Sequence, residues 1–171
     1  KQWVKLLFWG AFILVLLVLL ARFPAADVHQ MQVSEHSFRK TEDGHYEIVI
    51  RLNKSNQYVL QGKLNGMQVK LIVDTGATGV SVPGVLADKA HLVRLAQFKS
   101  TTAAGETTSY QTIVSSLALG ELKFSKFDAS ISPAMTLDGL LLGMSILKNF
   151  DIRIGNKVMT LRCKIGSTCY L

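Results

Sequence analysis

The sequence predicts a mostly β domain standing behind one apolar N-terminal helix, with one or two short helices inside the domain. Three observations lead there. Of the 171 residues, 49% are hydrophobic and only 18% charged, a balance too apolar for a disordered chain and a length sufficient for one buried core. Leu6–Ala21 contains no charge at all. From His45 onward apolar residues alternate with polar ones, and glycine- or asparagine-marked turns separate the runs, which is the pattern of half-buried strands.

Taken in order, Trp3–Phe23 is apolar once Lys5 and Arg22 extend their charges outward, and at 1.5 Å per residue such a segment spans about 30 Å, the hydrocarbon thickness of a bilayer. We expect an uncleaved transmembrane anchor over residues 1–23. Lys1 and Lys5 would hold its start in the cytoplasm and put the domain on the periplasmic side of the inner membrane, in single-pass form. A cleaved signal peptide and a buried core helix are the competing readings; Pro24-Ala25-Ala26 is a poor cleavage site, and a helix apolar on every face fits a small domain badly. Residues 24–44 lack a sustained apolar period and are expected to form a polar linker, leaving 45–171 as the folded domain.

Within that domain Tyr46–Leu52, Tyr58–Leu64 and Met67–Val73 read as a three-stranded meander, the last two joined by Asn65-Gly66, a strong hairpin signal. Further strands are expected at Tyr110–Val114, Leu117–Leu119, Leu122–Phe124, Phe127–Ile131, Asp151–Ile154 and Val158–Arg162. Val85–His91, after Pro83-Gly84, and Ser145–Phe150 read as short helices.

Composition narrows the function classes. The formal net charge is +7, but Lys1, Lys5 and Arg22 flank the apolar segment and the remaining excess forms no basic cluster, so no nucleic-acid partner is expected. Cys163 and Cys169 are the only cysteines; in an oxidising compartment they could close a small loop, or remain two unpaired thiols. His29, His36, His45 and His91 match no metal-ligand spacing. Ser81, Ser109, Ser115 and Ser116 sit in no nucleophile elbow, and no glycine-rich phosphate loop exists. Neither a metal nor a cofactor is expected.

The chemically informative stretch is Lys70-Leu71-Ile72-Val73-Asp74-Thr75-Gly76-Ala77-Thr78. An apolar strand delivers a carboxylate to its end, and Thr75-Gly76 then turns the chain, so rigid elements would hold Asp74 at the rim of the core. Gly76, without a Cβ, lets its N–H approach that carboxylate, and the Thr75 hydroxyl can fix the loop. By itself Asp-Thr-Gly also describes a solvated turn after a strand.

Together with Ala77–Val82 after it and Leu140-Leu141-Leu142-Gly143-Met144-Ser145-Ile146-Leu147-Lys148-Asn149-Phe150 further on, this stretch resembles the active-site loop and second block of the retropepsin-like aspartic proteases, and among them the single-domain, membrane-anchored bacterial relatives. The resemblance covers about Gln57–Arg162. It implies a closed, retropepsin-like (acid protease) β fold in which Leu142 and Gly143 pack against the loop of Asp74, Thr75, Gly76 and Ala77. It also implies that Asp138 is not a second catalytic acid. Thr101–Thr108 is similar to the flap hairpin that closes over a bound peptide, with Ala104, Gly105 and Glu106 at or near its tip; Ser132–Thr136 is left without a role.

Aspartic proteolysis needs two carboxylates sharing one proton, and this chain has one Asp-Thr-Gly. The reading is therefore a homodimeric aspartic endopeptidase acting on polypeptides, with Asp74 and its mate across the two-fold axis. The alternative is a non-catalytic dimeric module, anchored in the same membrane, that binds extended peptides in the same groove.

Overall fold

The protein is described by a computed structural model over residues 31–102 and 105–164. Among the described residues eleven strands form two sheets. The smaller is antiparallel throughout and runs β1 (His36–Lys40), β2 (Tyr46–Arg51), β11 (Val158–Cys163), β10 (Phe150–Gly155). The larger runs β3 (Val59–Leu64), β4 (Met67–Val73), β9 (Gly139–Leu142), β5 (Val80–Pro83), β8 (Leu122–Ser132), β7 (Gly105–Leu119), β6 (Gln97–Thr102). β3 also pairs with β7 through Lys63↔Ala118 and Leu64↔Leu117, closing that sheet on itself. Among the described residues there are two short helices, α1 (Gly84–Lys89) and α2 (Met144–Leu147).

The core lies inside the closed sheet and between the two sheets. Leu60, Leu64, Leu71, Leu117, Leu119, Leu140 and Leu142 are fully buried there, with Ile48, Ile50 and Leu161 from the smaller sheet in the same cluster. Each such side chain contributes about 1.5–3 kcal/mol by leaving water. Phe38 of β1 joins the two sheets at the far side: its ring occupies the place where a side chain on Gly120, in the β7–β8 turn, would stand.

Three expectations are corrected. Residues 46–73 are not a meander: β3 and β4 form the hairpin, turned by Asn65 (φ 48°) and Gly66 (φ 87°), but β2 pairs with β1 and β11. The cause is local. Asn53 Oδ1 accepts the N–H groups of Ser55 and Gln57, each at 2.9 Å, and the resulting turn carries the chain from one sheet to the other. Second, β1 lies in the stretch expected as linker. Four of its five residues are exposed, so no apolar period announces it; its strand form comes from pairing with β2, His36↔Ile50 to Lys40↔Tyr46. Third, β7 and β8 are long continuous strands where shorter pieces were expected. Ser116 does not break β7 because its N–H donates to Asn65 Oδ1 (3.0 Å) and its carbonyl accepts from Asn65 N (2.8 Å).

Arg162 of β11 reaches both Asp43 and Glu47, fastening the β1–β2 hairpin. The Thr41 hydroxyl, followed by Arg162, holds the Asp43 carboxyl below its ordinary range. Cys163 is in a disulfide; Cys169, the only other cysteine of the chain, lies outside the described residues. So does the expected anchor, residues 1–23. Among the described residues no helix is long and apolar enough to cross a membrane.

Candidate active site

β4 and β9 run parallel through the core, in register from Lys70↔Gly139 to Val73↔Leu142. Their apolar residues, Leu71, Ile72, Leu140 and Leu142, are buried, which fixes both strands and therefore where each one ends. β4 ends at Asp74. β9 ends at Leu142, and Gly143 leads into α2.

The loop after β4 is held by backbone groups. Asp74 N donates to Leu142 O (3.1 Å), Ala77 N to Asp74 O (3.3 Å), Met144 N to Ala77 O (2.8 Å) and Ser145 N to Thr78 O (2.9 Å). Gly143 makes this approach possible: a Cβ there would stand 2.2 Å from Gly79 O and 2.6 Å from Ala77 O, far inside contact distance. The structure thus brings Asp74, Thr75, Gly76 and Ala77 against Leu142 and Gly143.

The carboxylate itself is partly exposed, and Thr75 and Gly76 are exposed. Gly76 N donates to Asp74 Oδ1 at 2.9 Å, a charge-assisted bond that sets the carboxylate plane and leaves Oδ2 open. An acid held in this way, at the end of a rigid strand and facing outward, can take a proton from a water molecule placed before it.

The residues expected as a flap lie in the β6–β7 hairpin. Gly105 and Glu106 begin β7, opposite Thr102 and Thr101; Ala104 lies outside the described residues. An open groove of about 580 Å³ separates the hairpin from the Ser132–Thr136 loop, lined by Lys99, Glu106, Thr107, Thr108, Tyr110, Pro133 and Ala134. Asp74 is not among its walls. The loop to which sequence reasoning gave no role is therefore the wall facing the hairpin.

Two further groupings escaped sequence reasoning. Ser100, Ser109 and Ser132 join hydroxyl to hydroxyl at 2.8 and 3.1 Å, a polar seam across β6, β7 and the end of β8 at the base of the hairpin. Asp138, just before β9, receives Lys70 Nζ at 2.6 Å and the Met31 N–H at 3.1 and 3.2 Å, while Lys70 Nζ also donates to Met31 O at 2.6 Å. Asp138 is thus committed to an ion pair at the root of β9. A lysine amid the apolar residues of β4 was the one available signal, since such a charge needs a partner.

Residues 60–149, more than half of the chain, match the model of the "gag-polyprotein putative aspartyl protease" family. The chain belongs to the retropepsin-like aspartic protease family. It is a peptide hydrolase of the aspartic type. In fold the protease is similar to a retropepsin-like aspartic protease from Rickettsia conorii, at 23% identity with a TM-score of 0.57, covering 78% of this chain and 96% of that one. It is also similar to the EIAV protease complexed with the inhibitor HBY-793, at 16% identity and a TM-score of 0.45, covering 56% of this chain and 89% of the other. No curated protein matches it significantly.

Proposed function

We propose that the protease works as a homodimer, hydrolysing peptide bonds in polypeptides with a water molecule held between Asp74 and the Asp74 of a second copy. The observation that carries this reading is the state of the carboxylate: it sits half-exposed on a backbone-locked loop, in a chain with one Asp-Thr-Gly. Half of a site in this position becomes whole when a second loop faces it.

In such a dyad one carboxylate is ionised and the other protonated, because adjacent like charges push their two apparent pKa values apart. The ionised carboxylate takes a proton from water, whose oxygen attacks the carbonyl carbon of the peptide bond. The protonated one gives its proton to the carbonyl oxygen, forming a neutral tetrahedral diol. Collapse of the diol breaks the C–N bond, and a proton passes to the departing nitrogen. Thr75, Gly76 and Ala77 shape the loop, Leu142 and Gly143 hold it from behind, and the hairpin bearing Ala104, Gly105 and Glu106 covers the extended substrate. Residues 1–23 anchor each copy in the inner membrane with the catalytic domain on the periplasmic side. Confinement to that surface raises the effective concentration of one copy for another.

The test is cleavage of a peptide library by wild type and Asp74→Asn. We expect the variant to lose about 10²–10⁴-fold in rate with the sedimentation of the dimer unchanged, wild-type activity to follow a bell-shaped pH profile, and pepstatin-like compounds to compete. Wild type that cleaves nothing between acidic and neutral pH, or a variant as active as wild type, refutes the proposal.

A further inference from the structure

We infer that the cleft beside Asp74 selects an uncharged, hydrogen-bonding substrate side chain, a hydroxyl or a carboxamide, and that Ser81 and Ser130 are the residues that choose it. This rests on the proposed cleavage at the Asp74 pair and adds to it the class of substrate.

Asp74 lies two residues beyond Ile72, and side chains two apart along a strand share a face of the sheet. The register carries that face sideways: Ile72 stands beside Leu141, Leu141 beside Ser81, Ser81 beside Ser130, and Ser130 beside Gln111. Packing agrees with the register. Ile72 and Leu141 belong to a small cluster of their own, whereas Leu71, Leu140 and Leu142 belong to the main core, and the Ser81 and Ser130 hydroxyls meet at 2.8 Å. Neighbouring strands are about 4.8 Å apart, so Ser81, two strands over from Ile72, stands roughly 12 Å from the acid. An extended peptide puts a side chain on the same side every ~7 Å. The serine pair is therefore met by a residue about two positions from the bond that is cleaved.

The row changes character along its length. At its apolar end Ile72 is already covered: Met31 packs on it and on Val59, with Leu137 and Leu141 alongside, and Asp138 and Lys70 hold the Met31 backbone in place. Among the described residues, what stays open on this face is Ser81 and Ser130, both half-buried, and the exposed Gln111. The wall offered to a substrate is polar.

Its chemistry follows from counting protons. Ser130 Oγ lies 3.4 Å from Val80 O as well as beside Ser81. When Ser130 donates to that carbonyl, Ser81 donates to Ser130 and is left an acceptor; when Ser130 donates to Ser81, the Ser81 proton is left for a ligand. The pair thus answers a donor or an acceptor, and it gives an ion no counter-charge. An apolar side chain would strip water from both hydroxyls and replace none of its hydrogen bonds. Hydroxyls continue on the same face toward the hairpin: Ser132, two residues beyond Ser130, bonds Ser109, which bonds Ser100. The nearest charge on this face along β8, Asp128, is exposed, where its pull on a cation is screened.

The full chain is tested with peptides that differ only in carrying Gln, Ser, Leu or Lys at one position near the cleaved bond. Relative kcat/KM is read for wild type, Ser81→Val with Ser130→Val, and Ser81→Thr. Uncleavable copies with a reduced peptide bond are titrated in parallel by calorimetry. At one position wild type should favour Gln and Ser over Leu and Lys about tenfold in both readouts. The double variant should lose that preference at that position alone, and Ser81→Thr, which keeps a hydroxyl, should retain it; a purely structural role would lower all peptides together. Ser81→Ala serves in the same comparison if the double variant does not fold. Unchanged ratios in these variants, or a Lys preference abolished by Asp128→Asn, overturn the inference. If wild type cleaves nothing but binds with the polar preference, the selection stands and the proposed chemistry falls. If it cleaves all the peptides equally, the chemistry stands and the selection falls; neither cleavage nor binding sinks both.

Discussion

The catalytic loop and the tip of the β6–β7 hairpin are both exposed turns containing glycine, and they are held in opposite ways. The loop at Asp74–Thr78 exchanges backbone hydrogen bonds with Leu142, Met144 and Ser145, residues far away in sequence and fixed by the core. Among the described residues the outer hairpin is built on one ladder, β6 with β7 from Gln97↔Tyr110 to Thr102↔Gly105, and β8 joins β7 from Tyr110 inward. Two strands alone are marginally stable in water. Under the proposed function this contrast sets a carboxylate that must not drift against a cover that must open for its substrate.

The largest expected effect comes from breaking the fixed side. Gly143→Ala drives a Cβ into the backbone oxygens of Gly79 and Ala77, and backbone in a closed sheet cannot step aside as a flexible side chain would. We expect a loss of about 3 kcal/mol in urea unfolding. Activity per folded molecule should fall about a hundredfold, because a shift near 1 Å in the acid suffices for that. Wild-type activity in this variant would mean that the loop is not held through Gly143.

A step smaller is Asp138→Asn, at the root of the same strand. The change leaves the Lys70 ammonium, 28% exposed, without its counter-charge and weakens the tie to Met31. We expect about 1–3 kcal/mol of destabilisation with activity per folded molecule unchanged, since the top of β9 stays in place. A drop in activity without a loss of stability would give Asp138 a catalytic part after all.

How much of this was legible in the sequence follows from how local each signal is. Asn65-Gly66, the apolar run into Asp74, and the Leu-Leu-Leu-Gly block each lie within a few residues, and each predicted its element. The family resemblance then set two of those blocks side by side. What stayed hidden needs partners distant in the chain. β1 is a strand because β2 lies beside it, β2 leaves β3 because Asn53 builds a turn, and Asp138 meets Met31 across 107 residues. Ser115-Ser116 looks like a break within β7 until Asn65 is placed against it. Polar segments in particular take their conformation from what they pair with, and periodicity carries no record of that.

The smallest effect is expected at the hairpin tip. Gly105 has φ +110°, a region L side chains rarely adopt, and a Cβ there meets nothing within 4 Å. Gly105→Ala is therefore strained but not crowded, at a cost of about 1–2 kcal/mol if the tip keeps its present form. The tip need not keep it. Held by a single ladder, it can fray and shed the strain without disturbing the core, so the unfolding midpoint of the whole domain should barely move. The same substitution should speed amide hydrogen exchange at Thr102 and Glu106 and raise KM more than it lowers kcat, because the cover would close less often over a bound peptide. If Gly105→Ala instead destabilised the domain as much as Gly143→Ala, the hairpin would have to be packed into the fold as tightly as the catalytic loop, and the division between fixed acid and free cover would fail.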